Sequence, residues 1–163
     1  MVAMPIFPIT FIGGDEFYAG AFITAEGLQK IGNNIRDFTV PLTTSLREVI
    51  IPSIQKNFAS GGRPPWAPLE VSTVEKRKAT GPILDRTGFL KSVATSEAIW
   101  TITTDTIEVS GMDTVPYAKY HQVGTKNMVA RVFILFQPED EAKIEEIFSL
   151  WFEEQIRSGG FKG

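Results

Sequence analysis

The chain contains one histidine, His121, within the stretch 117–124, which reads Tyr-Ala-Lys-Tyr-His-Gln-Val-Gly. A histidine acts as a general base when a nucleophile and an orienting carboxylate lie beside it. No serine of the sequence stands in a Gly-x-Ser-x-Gly setting, the sharp turn that exposes the nucleophile of many hydrolases. We therefore expect His121 to serve in packing or at an interface, and a small hydrolase that uses His121 is the alternative.

Other reactive groups are scarce in the sequence. The absence of cysteine excludes thiolate metal sites, thiol catalysis and a disulfide scaffold. A single histidine excludes a multi-histidine metal site. The glycine pairs at 13–14, 61–62 and 159–160 match neither of the common phosphate-binding loops, and turns explain them. The sequence therefore predicts no catalytic site, no cofactor and no metal, and a protein that is not an enzyme.

The charge of the chain is nearly balanced, with 16 Lys or Arg against 19 Asp or Glu and a net charge of -3. A nucleic-acid coat protein needs a basic excess, so the composition disfavours that class. A local basic patch nevertheless occurs in the middle of the chain. The simplest interpretation of its basic run is the solvent-exposed face of a helix. Contact with nucleic acid and head-to-tail charge matching between copies are the alternatives. The patch consists of Arg63, Lys76, Arg77 and Lys78.

A proline-rich segment at 59–70 holds three prolines and two glycines around Trp66. This composition predicts an ordered loop that is pinned by a large apolar side chain. The indole either fills a local core, which is the default, or belongs to a docking element, since a restricted loop loses little entropy on binding. The sequence leaves both interpretations open.

Two long helical patterns precede this loop. Apolar residues recur at three- and four-residue spacing over 28–38 and predict a first helix. A second helix is predicted to begin at a capping box formed by Ser45 and Glu48. Its apolar stripe continues to Gly61, a natural C-terminal stop, and Pro52 is expected to kink it.

Shorter elements follow the loop. A second capping box at Ser72 predicts a short basic helix, and Thr87 is expected to cap one or two further helical turns. Alternating apolar residues predict a hairpin over 100–109. A third strand is expected over 131–136, and a final helix opens at Pro138 with acidic residues suited to a helix N-terminus.

The order of these elements predicts an α+β fold: a small antiparallel or mixed sheet packed with a long kinked helix and a C-terminal amphipathic helix. Residues 1–23 are interpreted as an N-terminal arm or extra strands, 24–158 as one domain, and 159–163 as a loose tail. The apolar start is shorter than the roughly 20 residues that a membrane helix needs, so we expect no membrane partner. The expected core includes Phe58, Leu69, Leu84, Leu90, Trp100, Phe148 and Trp151.

The order of the motifs resembles the virion-morphogenesis family of tailed bacteriophages, which includes tail-completion and head–tail joining proteins. The resemblance covers roughly residues 28–156 and differs from the family pattern at Val132, where a proline is usual. The motifs that carry it are Phe58, Gly61-Gly62, Pro65-Trp66-Ala-Pro68-Leu69, Ile83-Leu84, Thr87-Gly-x-Leu90-x-Ser92, Ile107-Glu-Val109, Pro116-Tyr117-Ala118, His121-Gln122-x-Gly124 and Ala130-Arg131-x-Phe133.

This resemblance implies a structural virion protein at the neck or the tail terminus, assembled in the cytoplasm of the bacterial host. It implies a ring of copies, six-fold or twelve-copy, that contacts tail tube or sheath proteins and the head connector. DNA passing through the neck is a further possible partner, and a nucleic-acid-associated adaptor that uses the Lys76–Lys78 helix is the alternative function. The residues expected at assembly contacts are Trp66, Pro68, Tyr117, His121 and Arg131.

Overall fold

The computed structural model describes residues 10–11, 37–77 and 82–158, and the fold is α+β, as the sequence predicts. Most of the N-terminal arm, the first predicted helix up to residue 36, Lys78 and the C-terminal tail lie outside the described residues. Helix α1 is continuous through three segments, Thr39–Ser45, a π turn at Leu46–Ile50, and Ile51–Ser60. The other elements are β1 (Thr10–Phe11), α2 (Val71–Arg77), α3 (Phe89–Ala94), β2 (Trp100–Ile102), β3 (Ile107–Val109), α4 (Ala118–Val123) and α5 (Pro138–Ser158), with 3-10 turns at Glu97–Ile99 and Met112–Thr114.

The start of helix α1 differs from the prediction. The capping box at Ser45 and Glu48 is wrong, because the helix begins earlier, at Thr39. Ser45 is buried inside the helix and makes no capping hydrogen bond. The N–H of Thr39 instead donates to the Asp37 carboxylate at 2.9 Å. A capping-box pattern is purely local, so it cannot show that a better cap lies upstream.

The Asp37 carboxylate gives the start of α1 a pH dependence. Hydrogen bonds from Thr39, the side chain first and the backbone N–H second, hold the pKa of Asp37 below its usual range. A carboxyl whose pKa is lower in the folded state stabilises that state above about pH 4, and the stabilisation is lost as pH falls through the folded pKa. We expect the hydrogen-exchange protection of the first turn of α1, measured relative to the intrinsic rate at each pH, to fall below about pH 4, and to fall less in Asp37→Asn. Identical pH profiles for the two proteins would contradict this role.

The π turn lies immediately before Pro52, where the sequence predicts a disruption of the helix. Proline has no N–H to donate and its ring crowds the preceding turn. Within the π turn the N–H of Ile51 donates to the carbonyl of Leu46, one residue further back than in an α-helix. The wider turn thus accommodates the position at which an ordinary helical hydrogen bond is missing.

The sheet has three short strands in the order β1-β3-β2. The predicted hairpin is confirmed: β2 and β3 are antiparallel, with Trp100 opposite Val109. The third strand is not the predicted one, because β1 from the N-terminal arm pairs in parallel with β3. The strand expected over Arg131–Phe136 is wrong, since this segment joins no ladder in the described structure.

Two buried amide side chains take the place of a neighbouring strand beside that segment. The Gln122 Oε1 accepts from the N–H groups of Phe133 and Ile134, at 3.1 and 3.2 Å, and its Nε2 donates to the Ile134 carbonyl at 2.7 Å. Asn57 Nδ2 donates to the carbonyls of Phe133 and Leu135, both at 3.0 Å. Buried backbone groups must be paired, and side chains pair them here.

The core lies between α1, α5 and the hairpin. Phe38, placed by the sequence on the first helix, precedes α1 and packs against Phe148, Trp151 and Phe152, with ring centroids 5.6–6.1 Å apart. Of the predicted core residues, Leu69 and Trp151 are only half-buried. The remaining predictions are confirmed as buried: Phe58, Leu84, Leu90, Trp100 and Phe148.

Candidate assembly surface

The Trp66 loop is an anchored structure. Helix α1 ends where Gly61 adopts a left-handed conformation, and the chain then turns back so that Trp66 is 8% exposed. The indole meets Phe58 edge-on, with ring centroids 5.7 Å apart, and its Nε1 donates to the Val132 carbonyl at 2.9 Å. Trp66 thus fills a local core, whereas Pro64, Pro65 and Pro68 of the same loop are exposed.

Arg131 connects this loop to helix α4. Its side chain is buried, and Nε and one terminal nitrogen donate to the carbonyls of Ala67 and Pro68 at 2.9 and 2.8 Å. Its backbone N–H donates to the carbonyl of His121 at 2.6 Å. Arg131 therefore links its own segment to the Trp66 loop through the guanidinium and to α4 through the backbone, and its side chain is buried.

His121 lies between two open clefts beside α4. Its ring meets that of Tyr117 edge-on, with centroids 5.9 Å apart, and His121 is half-buried whereas Tyr117 is exposed. The small cleft, about 280 Å³, is lined by Leu84, Arg86, Thr87, Leu90, Tyr117 and His121. The large cleft, about 710 Å³, is lined by 67–70, Thr73, His121, 125–129 and Arg131.

The five residues expected at assembly contacts thus meet in one region, with two kinds of role. Pro68, Tyr117 and His121 line the clefts or lie at their rims. Arg131 also lines the large cleft, but its side chain is buried, and Trp66 and Arg131 both fix the backbone of the loop through hydrogen bonds. The interaction with a partner stays a prediction for all five.

The chain matches no protein-family model and no solved structure. It is 31% identical over 124 residues to the Mu-like prophage FluMu G protein 2 of Haemophilus influenzae, covering 72% of this chain and 80% of that protein. The chain belongs to the family of this prophage protein. The phage relationship expected from the motifs is therefore confirmed.

Two members of the predicted basic patch, Arg63 and Lys76, have side chains that the structure describes. Arg63 donates to Asn57 Oδ1 and to Ser53, and forms an ion pair with Glu139 at 3.2 Å. Part of the charge matching expected between copies thus occurs within one chain. Lys76 is exposed on α2. The Arg77 side chain and Lys78 lie outside the described residues.

The sequence analysis missed three exposed apolar residues near the clefts. Tyr120 and Val123, 46% and 38% exposed, follow Tyr117 at three-residue spacing on one side of α4. Val129, 62% exposed, belongs to the loop that lines the large cleft. Apolar residues at helical spacing usually indicate a buried face, and only the structure shows that this face has no covering element among the described residues.

Two classes of site are absent from the part of the chain that the structure describes. No group of three His, Asp or Glu side chains converges there in a way that could hold a metal ion. None of the helices there is long and apolar enough to cross a membrane.

Gly124 shapes the loop between α4 and Arg131. Its φ is +77°, and a Cβ built there would lie 2.8 Å from the Met128 carbonyl oxygen and 2.9 Å from the Ala130 nitrogen. We expect Gly124→Ala to lower the free energy of unfolding by about 2–4 kcal/mol, because backbone strain and a backbone clash combine. Urea denaturation measures this change.

Gly61→Ala is the matched control for Gly124. It has a similar φ of +73°, but a Cβ there would meet no atom within 4 Å. We expect a loss of only about 1–2 kcal/mol from the left-handed conformation. Equal losses in the two variants would mean that the loop relaxes freely around residue 124.

Proposed function

We propose that this chain is a structural, non-enzymatic virion protein that completes the phage tail and joins it to the head connector, as a ring at the neck or tail terminus. Kinship with a Mu-like prophage protein supports the phage setting. The partners in this proposal are further copies, tail tube or sheath proteins, and head connector or neck proteins. Assembly takes place in the host cytoplasm.

One structural observation carries the proposal. Three segments that carry the family resemblance, around Trp66, His121 and Arg131, are apart in sequence yet hydrogen-bond to one another beside the large cleft. Trp66 bonds to Val132, Arg131 bonds to the loop carbonyls that follow Trp66, and Gly124 lets the intervening loop fold back on α4. These residues build a rigid exposed surface, which suits a protein that works by docking.

The alternative functions find less support in the described residues. For a hydrolase that uses His121, Glu70 is the only carboxylate among the residues that line the two clefts, and no serine of the sequence stands in a Gly-x-Ser-x-Gly setting. For a nucleic-acid adaptor, Arg63 is already paired with acids of its own chain, and exposed cations are what phosphate binding requires. Retention on duplex DNA that weakens steeply with salt would favour the adaptor.

An early stop codon in the gene, within the phage or prophage that carries it, tests the proposal. Electron microscopy of the lysate should show filled heads without tails beside tails without heads. Overlong tails would indicate that the protein ends tail growth, whereas tails of normal length would indicate that it joins them to heads. Expression of the intact gene from a plasmid is the control and should restore particles. Normal infectious particles from the stop mutant would overturn the proposal.

A further inference from the structure

Charge is sharply divided between two neighbouring parts of the chain. Positions 114–138 contain no Asp or Glu, whereas positions 139–154, on helix α5, contain seven and a single lysine. The acid-free part includes α4 and the loop 124–130, and the acidic part is the longest regular helix described. Such a division within one sequence provides two surfaces of opposite sign.

The acid-free part presents an apolar surface bordered by lysines, which we call the α4 face: Tyr117, Lys119, Tyr120, Val123, Lys126 and Val129. All six are exposed. The loop is tied to α4 by hydrogen bonds from the N–H of Gly124 to the Tyr120 carbonyl and from the N–H of Arg131 to the His121 carbonyl. The Lys119 ammonium lies 5.1 Å from the centroid of the Tyr120 ring.

The outer side of α5 has the complementary character. Ile144, Phe148 and Phe152 turn inward to the core. The opposite side exposes Leu150, which is 58% exposed, among glutamates. We call this surface the α5 face; it consists of Glu146, Leu150, Glu153 and Glu154.

We infer that the α4 face of one copy binds the α5 face of a second copy. Each face has an apolar centre bordered by charges, and the charges of the two faces have opposite sign. The contact would bury the apolar centres, and the charges would orient the two copies. Duplex DNA fits the α4 face less well, because this face carries few cations and the nearby Arg131 side chain is buried. The two faces are different surfaces, so the contact is heterologous and closes into a ring only if the rotation per copy divides a full turn. The inference deepens the proposed ring, although its test requires no phage particle.

The natural chain has no cysteine, so single engineered cysteines report the contact without background. One tagged chain carries Tyr120→Cys and a second, differently tagged chain carries Leu150→Cys. Mixed and oxidised, they should form a disulfide-linked pair with at least ten times the yield of a mixture in which Asp105→Cys replaces Leu150→Cys. Asp105 is exposed at the hairpin turn and belongs to neither face.

A charge swap shows whether the contact is specific. Adding Lys119→Glu and Lys126→Glu to the Tyr120→Cys chain should reduce the yield at least five-fold, and Glu146→Lys with Glu154→Lys in the partner should restore it. A yield no higher than that of the Asp105→Cys control, or cross-linking mainly between two Tyr120→Cys chains, would overturn the inference. Capture of the α4 face by duplex DNA in place of the second chain would also overturn it.

The outcomes for the interface and for the proposed function are separable. If the cysteine variants cross-link but the stop mutant still yields normal particles, the interface is supported and the proposed function is rejected. If the stop mutant yields defective particles but the cysteine variants do not cross-link, the proposed function is supported and the interface is rejected.

Discussion

Replacement of Gln122 by leucine is expected to lower the free energy of unfolding by about 3 kcal/mol or more. The Gln122 amide pairs the N–H groups of Phe133 and Ile134 and the carbonyl of Ile134. Leucine has a similar volume but no polar atom, so these three buried groups would lose their partner together. Each buried group left unpaired costs about 1–3 kcal/mol. Urea denaturation followed by circular dichroism measures the change.

Gln55→Leu is the matched control for that variant. Gln55 is exposed on α1, and the same substitution there should change stability by no more than about 0.5 kcal/mol. If Gln122→Leu stays within about 1 kcal/mol of this control, the segment 131–136 does not depend on the Gln122 amide. The account of how this segment is held would then be wrong.

Replacement of Arg63 by methionine is expected to lower the free energy of unfolding by about 3 kcal/mol, the lower end of the range for a buried ion pair, because the Arg63 side chain is 23% exposed. The Arg63 guanidinium lies 3.8 Å from the carboxylate of Asp140, whose side chain is 4% exposed. That carboxylate also accepts hydrogen bonds from the Ser53 hydroxyl and from the N–H of Gln137. Without Arg63, its negative charge would stay buried with no cation beside it. Thermal or urea denaturation measures the loss.

Two further variants test this explanation. Asp140→Asn removes the buried charge, so Arg63→Met should cost less in that background than in the natural chain. Arg47→Met removes a comparable ion pair with Glu97, but both side chains are more than half exposed, at 60% and 53%. An exposed pair contributes at most about 1 kcal/mol. Similar losses for Arg63→Met and Arg47→Met would show that burial of Asp140 is not the cause.

Sequence patterns predict the elements that are defined by residues close together in the sequence. The hairpin follows from alternation around Trp100 and Ile107, and α5 follows from its apolar spacing and acidic first turn. The segment 131–136 shows why such patterns fail elsewhere. A run of Val, Phe, Ile and Leu is equally typical of a buried strand and of an extended segment paired by side chains. The side chains that decide the structure of this segment are Asn57 and Gln122, which lie 76 and 11 residues from their partner Phe133 in the sequence.

The sequence predicts which residues belong to the candidate surface, but it does not predict which of them are exposed and which support the backbone. Prolines around Trp66 predicted an ordered loop, and the structure shows the indole bonded to Val132. Arg131 would suit an exposed contact by its type, yet two backbone carbonyls occupy its guanidinium. Exposure is a property of the assembled fold, which is why Tyr120 and Val129 were not singled out from the sequence.

Immunogold labelling of purified phage particles tests the central claim most directly, since it asks whether and where the protein resides in the virion. Antibody raised against this chain should label the junction between head and tail, and particles from the stop mutant serve as the unlabelled control. Label confined to that junction is the result that our account predicts. Particles without label, or with label spread over the head, would contradict a structural role at the neck or tail terminus.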